Sequence, residues 1–349
     1  MSPQIDHFPD FTVRETDQSI TVTKMPFMKT KEHSPSPASS GAQPVGLSSA
    51  SLTLLTAVIW GGTTVAMSYG LESFEPVAMA AMRFAIGCLF LLLWCHWEHT
   101  PLSLEWRQLP IALSAGGILF VQIWSFNVGV QLSNSSHGVM LINTFVFWIV
   151  LIEHFVTKND RLTTRKTVGL VLAAAGVFLI LWLSDPPSTD TRRPDDPSLL
   201  GDVVLMASAL LLGIKIVVIK HALRTMRPGK IIFWHNLFAV VLFSSYSLAF
   251  EPWSGSVSTP AILGILYQGI LVAGFCFALH ARLLQKHSAS QLAVFSFATP
   301  LFGVVLASLL RNDPLPPWII LSAFAVAGGI FLVNKESSSM TKSIDTPVV

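Results

Sequence analysis

Four basic side chains stand inside long apolar runs of this chain: Arg83, Lys215, His235 and His280. Neutral polar groups interrupt the same runs at Thr63, Gln122, Asn127 and Asn143, and Trp60 lies deep in the first of them. A charge at the centre of a bilayer costs about 2.5–3.5 kcal/mol on insertion scales, so such groups are paired, reach for an interface or line a polar cavity. Arg83 reads either as an arginine whose head snorkels to the interface or as a cavity-facing charge holding a ligand or a helix end. Lys215 carries the same two readings. His235, followed by Asn236, is placed to bond a neighbouring helix or a ligand. Each amide alone is adequate as interhelical glue, for about 0.6 kcal/mol; several on different runs suggest a polar cavity. Trp60 and Trp124 sit deeper than an interfacial belt and either stack on a ligand or pack, whereas Trp94, Trp97 and Trp106 suit the belt.

The signs of these charges narrow the ligand. No Asp or Glu falls at mid-depth: Glu72, Glu75 and Asp202 lie near one edge of their runs and Glu153 near the other. A basic cavity favours a carboxylate or phosphate, so an amino-acid-like or anionic small molecule is expected. No central acid is available for proton coupling, which leaves a histidine or Glu153 to titrate. The histidines are scattered without metal-type spacing, and Cys88, Cys95 and Cys276 all fall in apolar runs as packing residues. No metal, cofactor or nucleic-acid partner is expected. Clustered nucleophiles and paired acids are absent from the sequence, which argues against a membrane enzyme.

The elements that position these residues are apolar stretches. The chain has 349 residues, 52% hydrophobic and only 12% charged, against about 25% charged in soluble domains. Stretches at about 52–71, 77–95, 110–131, 135–156, 166–184, 200–221, 231–250, 260–282, 288–310 and 316–334 are each about as long as a bilayer crossing requires. Backbone groups in lipid must bond within their own segment, so helices are expected. Pro76, Pro110, Pro260 and Pro316 fall at or just before starts, where a missing amide hydrogen costs nothing. Pro300 lies inside the ninth stretch and should bend it. On the seventh residue of its stretch, Arg83 would lie about 10 Å deep in a core about 30 Å thick.

Residues 1–50 read as a polar, disordered cytoplasmic tail, and 336–349 as a second cytoplasmic tail. Lys and Arg crowd the tails and alternate connections, while the other connections hold only Arg192, Arg193 and Arg311. That bias places both termini in the cytoplasm, and a plasma (inner) membrane is the expected location. The proline-rich segment 185–198 joins two halves, 51–184 and 199–335, that resemble each other. Ala57, Gly61, Val65, Leu71 and Pro76 recur as Ala209, Gly213, Val217, Leu223 and Pro228, and the same offset pairs Thr63 with Lys215 and Arg83 with His235. One residue further on, Ala174, Gly176, Phe178 and Leu179 recur as Ala327, Gly329, Phe331 and Leu332. Five crossings per half is odd, so the halves must insert in opposite senses. The expected fold is an all-α membrane protein of ten transmembrane helices in two inverted five-helix repeats, the plan of secondary transporters. A receptor would not need such a repeat.

The chain resembles the drug/metabolite transporter superfamily, in its ten-helix exporter branch with two EamA-type repeats. The resemblance covers about residues 52–335. In the first half it is carried by Trp60-Gly61-Gly62, Glu75-Pro76 through Met82-Arg83-Phe84, Leu141-Ile142-Asn143-Thr144 with Glu153-His154, and Asp160-Arg161-Leu162-Thr163 leading into Gly169 and Gly176. The second half adds Gly201-Asp202, Ala298-Thr299-Pro300, and Asp313-Pro314-Leu315 leading to Gly328-Gly329. Phe145-Val146 stands where similar proteins carry proline, and Asn312-Asp313 where they often carry glutamate. The resemblance implies export of a small metabolite by alternating access, with helices one, three, four, six, eight and nine around the cavity. A sugar or nucleotide-sugar carrier is the alternative within the superfamily. Small residues in the fifth and tenth stretches suit a scaffold or a homodimer surface.

Overall fold

The computed structural model describes residues 43–133, 135–158, 160–184, 198–252, 257–311 and 317–344. The expected joint at 185–198 falls almost wholly outside them, as do Pro316, Asn312-Asp313 and nearly all of the amino-terminal tail. Among the described residues every regular element is helical. In chain order they are α1 (Leu47–Leu71), α2 (Pro76–Trp97), α3 (Leu109–Leu132), α4 (His137–Val156), α5 (Thr164–Ser184), α6 (Leu199–Ala222), α7 (Pro228–Phe250), α8 (Thr259–Lys286), α9 (Ala289–Leu310) and α10 (Ile319–Ile344). Eight of them, α1–α4 and α6–α9, are long and apolar enough to cross a membrane. The expectation was ten. The apolar part of α10 is the shorter Ile319–Lys335.

Local chemistry explains the ends. Pro76, Pro110, Pro228 and Pro260 occupy the first or second position of their helices. Ser198 and Ser258 cap α6 and α8 through the amides of Gly201 and Ala261, and Ser288 with Gln291 forms a capping box on α9. Local chemistry also explains two breaks. In α4 the side chains of Asn143 and Thr144 donate to the carbonyls of Val139 and Leu141, both at 2.6 Å. Side chains that compete for backbone acceptors interrupt the ladder without a proline. In α9 a 3-10 segment, Val294–Ala298, precedes Pro300, which enters the first turn of the following α-helical piece, Thr299–Arg311. A third irregularity, the π-helical stretch Tyr267–Cys276 in α8, has no such local cause in sequence.

Packing follows a repeating pattern. α1 lies against α9 and α8, and α6 against α4 and α3; α2 lies against α8, and α7 against α3. Exchanging the first five helices for the last five reproduces these pairings. α2 also packs on α7, and α5 on α10. The small residues of α5 and α10 face each other: a methyl on Gly169 would stand 2.8 Å from the Gly329 carbonyl oxygen. Gly61 does the same for α1 and α9, where a Cβ would stand 2.8 Å from the Gly303 nitrogen. The outer surfaces expose Leu, Val and Phe, as lipid contact demands.

Candidate functional site

The first turns of α2 bring Arg83 into the bundle beside α8. Its Nη1 donates to Gln268 Oε1 at 3.2 Å, and the guanidinium lies 4.7 Å from the centre of the Phe84 ring. Its buried Nε has no partner. From α6, Lys215 donates to Gln122 Oε1 at 3.4 Å and stands 5.7 Å from the Phe277 ring. The orientation of Gln122 is determined by its neighbour. The Ser208 hydroxyl donates to the Gln122 carbonyl at 2.7 Å and accepts from Nε2 at 3.3 Å, which turns Oε1 toward the lysine.

His235, fully buried on α7, is held by a similar relay. Asn236 Nδ2 donates to the Ala273 carbonyl, so the amide presents its oxygen to His235 Nδ1 at 3.0 Å. Nδ1 must therefore carry the hydrogen, which leaves Nε2 an unpartnered acceptor. The His235 ring lies 6.0 Å from Phe277, and Phe277, the ring beside Lys215, lies 6.2 Å from Phe84, the ring beside Arg83. Trp60 meets His280 edge-on at 5.3 Å, and the lysine is near enough to both histidines for its charge to act on them. Lys215, Gln122, His235, Asn236 and Gln268 are buried, while Trp60, Thr63, Arg83 and His280 are half-buried. Every described acid lies in a first or last helical turn or in a connection, except Glu336, which follows the apolar part of α10, Ile319–Lys335.

The structure thus gathers Trp60, Arg83, Gln122, Lys215, His235 and His280 from six helices. Thr63 lies one turn along α1 from Trp60, its hydroxyl unpartnered. Asn127 is half-buried on α3 and makes no hydrogen bond to this set among the described residues. Asn143 bonds its own helix and serves the break in α4. Trp124 is 36% exposed, edge-on to Tyr246 at 6.5 Å. Sequence reasoning missed Gln268, the arginine's only described hydrogen-bond partner. Its signal was that of Gln122, a single amide in an apolar run.

Two closures flank this centre. At the face where α1 begins, both oxygens of the buried Glu153 accept from the first amides of α9, Ala289 at 3.0 Å and Ser290 at 2.8 Å. A carboxylate there meets the positive end of the helix dipole. Beside it, Asp160 accepts from Lys166 at 2.5 Å, from Ser288 at 3.0 Å and from Ser290. Burial raises the Asp160 acid, and the Lys166 ammonium with the two hydroxyls more than offsets this, holding it below the usual carboxylate range. Lys220 donates to the Leu284 and His287 carbonyls, and His287 bonds the Gln43 carbonyl at 2.9 Å and the Ser49 hydroxyl at 2.8 Å. At the opposite face Glu251 accepts from the first amides of α2, Val77 at 2.8 Å and Ala78 at 2.7 Å. Asp202 holds Ser133 at 2.7 Å and His137 at 2.9 Å.

Comparisons with known proteins agree with this architecture. Residues 47–182 and 199–335 each match the EamA-like transporter family. An uncharacterized transporter of Bacillus subtilis, YoaV, is 26% identical over 279 residues, covering 79% of this chain and 92% of its own. A protein of Escherichia coli named a probable amino-acid metabolite efflux pump is 22% identical, covering 80% of this chain and 93% of its own. A solved crystal structure superposes with a TM-score of 0.72 at 17% identity, covering 82% of this chain and 98% of that one, which speaks for the fold alone. With two matched repeats spanning an all-helical, membrane-length bundle, the chain belongs to the EamA-like transporter family and is an integral membrane transporter.

Proposed function

We propose that the protein is a secondary carrier that exports a small amino-acid-like or anionic metabolite by alternating access across a plasma membrane. In this reading ten helices form two inverted five-helix halves, and both termini are cytoplasmic. The repeating pattern of helix pairs supports the halves, and the Lys and Arg bias supports the orientation. The closures at opposite faces fit a carrier caught between openings: releasing Glu153 from α9 would open one face, and releasing Glu251 and Asp202 the other.

One observation carries the substrate reading. Arg83 and Lys215 face only neutral amides, in a core whose described carboxylates all lie at its ends. A ligand acid group would supply the missing charge, with Phe84, Phe277 and Trp60 offering apolar walls. The name of the Escherichia coli relative points the same way.

A thermal-shift screen of the purified protein against metabolites tests this directly, repeated on Arg83→Ala and Lys215→Ala. An organic acid or amino acid should stabilise the wild type and neither variant. A preference for bulky organic cations, or binding that ignores both substitutions, would refute it.

A further inference from the structure

An arginine keeps its charge in any protein environment. Arg83 satisfies Nη1 with a neutral amide and leaves the buried Nε–H without a partner. Lys215 belongs to the same ring cluster, 5.7 Å from Phe277, whose ring lies 6.2 Å from the Phe84 ring under Arg83, and Gln122 takes one of the lysine's three hydrogens. His235 offers no donor here, because its hydrogen is on Nδ1 toward Asn236. The described acids are held elsewhere: Glu153 by α9, Asp160 by Lys166, Asp202 by His137, Glu98 by Arg282 and Glu251 by α2. Glu72, Glu75 and Glu105 lie in the connections between helices, and Glu336 lies on α10 beyond its apolar part, Ile319–Lys335. The protein thus builds a buried cationic centre and provides it with no counter-charge among its described residues. A buried ion without a partner is heavily penalised.

We propose that a small inorganic anion, chloride in ordinary solutions, sits between Arg83 and Lys215 in the substrate-free carrier and is displaced by the acid group of the substrate. The proposal rests on the anion-carrier reading above and adds the counter-ion and the mode of coupling. The free Nε–H of Arg83 and the two remaining hydrogens of Lys215 are the donors. The Phe84 and Phe277 rings, 6.2 Å apart, flank the two cations, so the ion is held by charge and donors and not by a cage of oxygens. A carrier that must not leave Arg83 bare while both faces are shut returns loaded. Transport is then exchange, one anion leaving as another enters.

The first test needs only chloride. Replacing it with gluconate at constant ionic strength should lower Tm of the purified wild type by about 3–5 °C, with a saturable chloride dependence. Arg83→Gln and Lys215→Gln should abolish the shift. Arg83→Lys should keep part of it, and Arg282→Gln at the surface all of it. The same shift in wild type and both Gln variants, or no shift in wild type, overturns the proposal. If Arg83→Gln does not fold, Lys215→Gln and Arg83→Lys still decide. The second test uses radiolabelled chloride and proteoliposomes. Uptake should be about tenfold faster into chloride-loaded than into gluconate-loaded vesicles, and equal rates refute exchange. The parent reading fails separately. If chloride binds at Arg83 but no organic acid displaces it, the metabolite carrier is wrong and the ion site stands. If an organic acid stabilises the protein and chloride does nothing, the reverse holds.

Discussion

Glu153 and Glu251 do the same work at opposite faces and in different company. Each presents both oxygens to the first amides of a helix from the other half of the chain, α9 for one and α2 for the other. Glu153 is fully buried and adjoins a network of Asp160, Lys166, Ser288, Ser290 and Lys220. Glu251 is half-buried, and its closure is completed at a distance by Asp202 with His137 and Ser133. Glu98 occupies the position one repeat before Glu251, yet it pairs with Arg282 at 2.6 Å, while α7 has no side-chain cap. Equivalent acids have therefore been given different partners. Two halves of similar sequence hold the two faces with unequal strength, and the face where α1 begins is the more firmly fastened.

The largest break in this comparison should come from Glu153→Ala. It strands two buried amides and an unpaired helix start, at about 2–4 kcal/mol. Thermal unfolding should show the loss, and a cysteine placed at Ser290 should become reactive to a polar thiol reagent. Next comes acid. The folded state holds the Asp160 carboxyl below its unfolded value of about 3.9. Its stabilisation is therefore complete above that value and is lost as pH falls through the lower folded one. Thermal stability of the wild type should fall below about pH 4, and Asp160→Asn should already show the lower stability at pH 7. Glu251→Ala should cost less, about 1 kcal/mol, because water can reach the freed amides. Increased labelling should then appear at the opposite face only. If Glu251→Ala proves as costly as Glu153→Ala, the asymmetry is wrong. Arg282→Gln should have the smallest effect, below about 0.5 kcal/mol, since the arginine of that pair is more than half exposed.

Much of the centre was legible in sequence because a charge or amide in an apolar run stands out whatever the fold. Arg83, Gln122, Lys215, His235 and His280 were visible on that ground. Their partners were not. Gln268 looked no different from Asn127, yet one holds Arg83 and the other makes no hydrogen bond to the set among the described residues. Asn143, a cavity candidate from sequence, donates to the Val139 carbonyl one turn back in its own helix. The break at Pro300 could be anticipated from the missing amide hydrogen. The π-helical stretch of α8 could not, since its shifted hydrogen bonds leave no mark in composition.

What the amino-acid order determined by itself was the all-helical membrane class, the two similar halves, and the lack of acids in the middle of the apolar runs. These follow from rules that act within one segment: backbone satisfaction in lipid, apolar length and capping. The tertiary structure alone decided that two glutamines would answer the two cations, that Glu153 would bury itself on α9, and that Glu98 would turn to Arg282. Those choices depend on the rotation and register of each helix against its neighbours. Many side chains far apart in the chain determine them together.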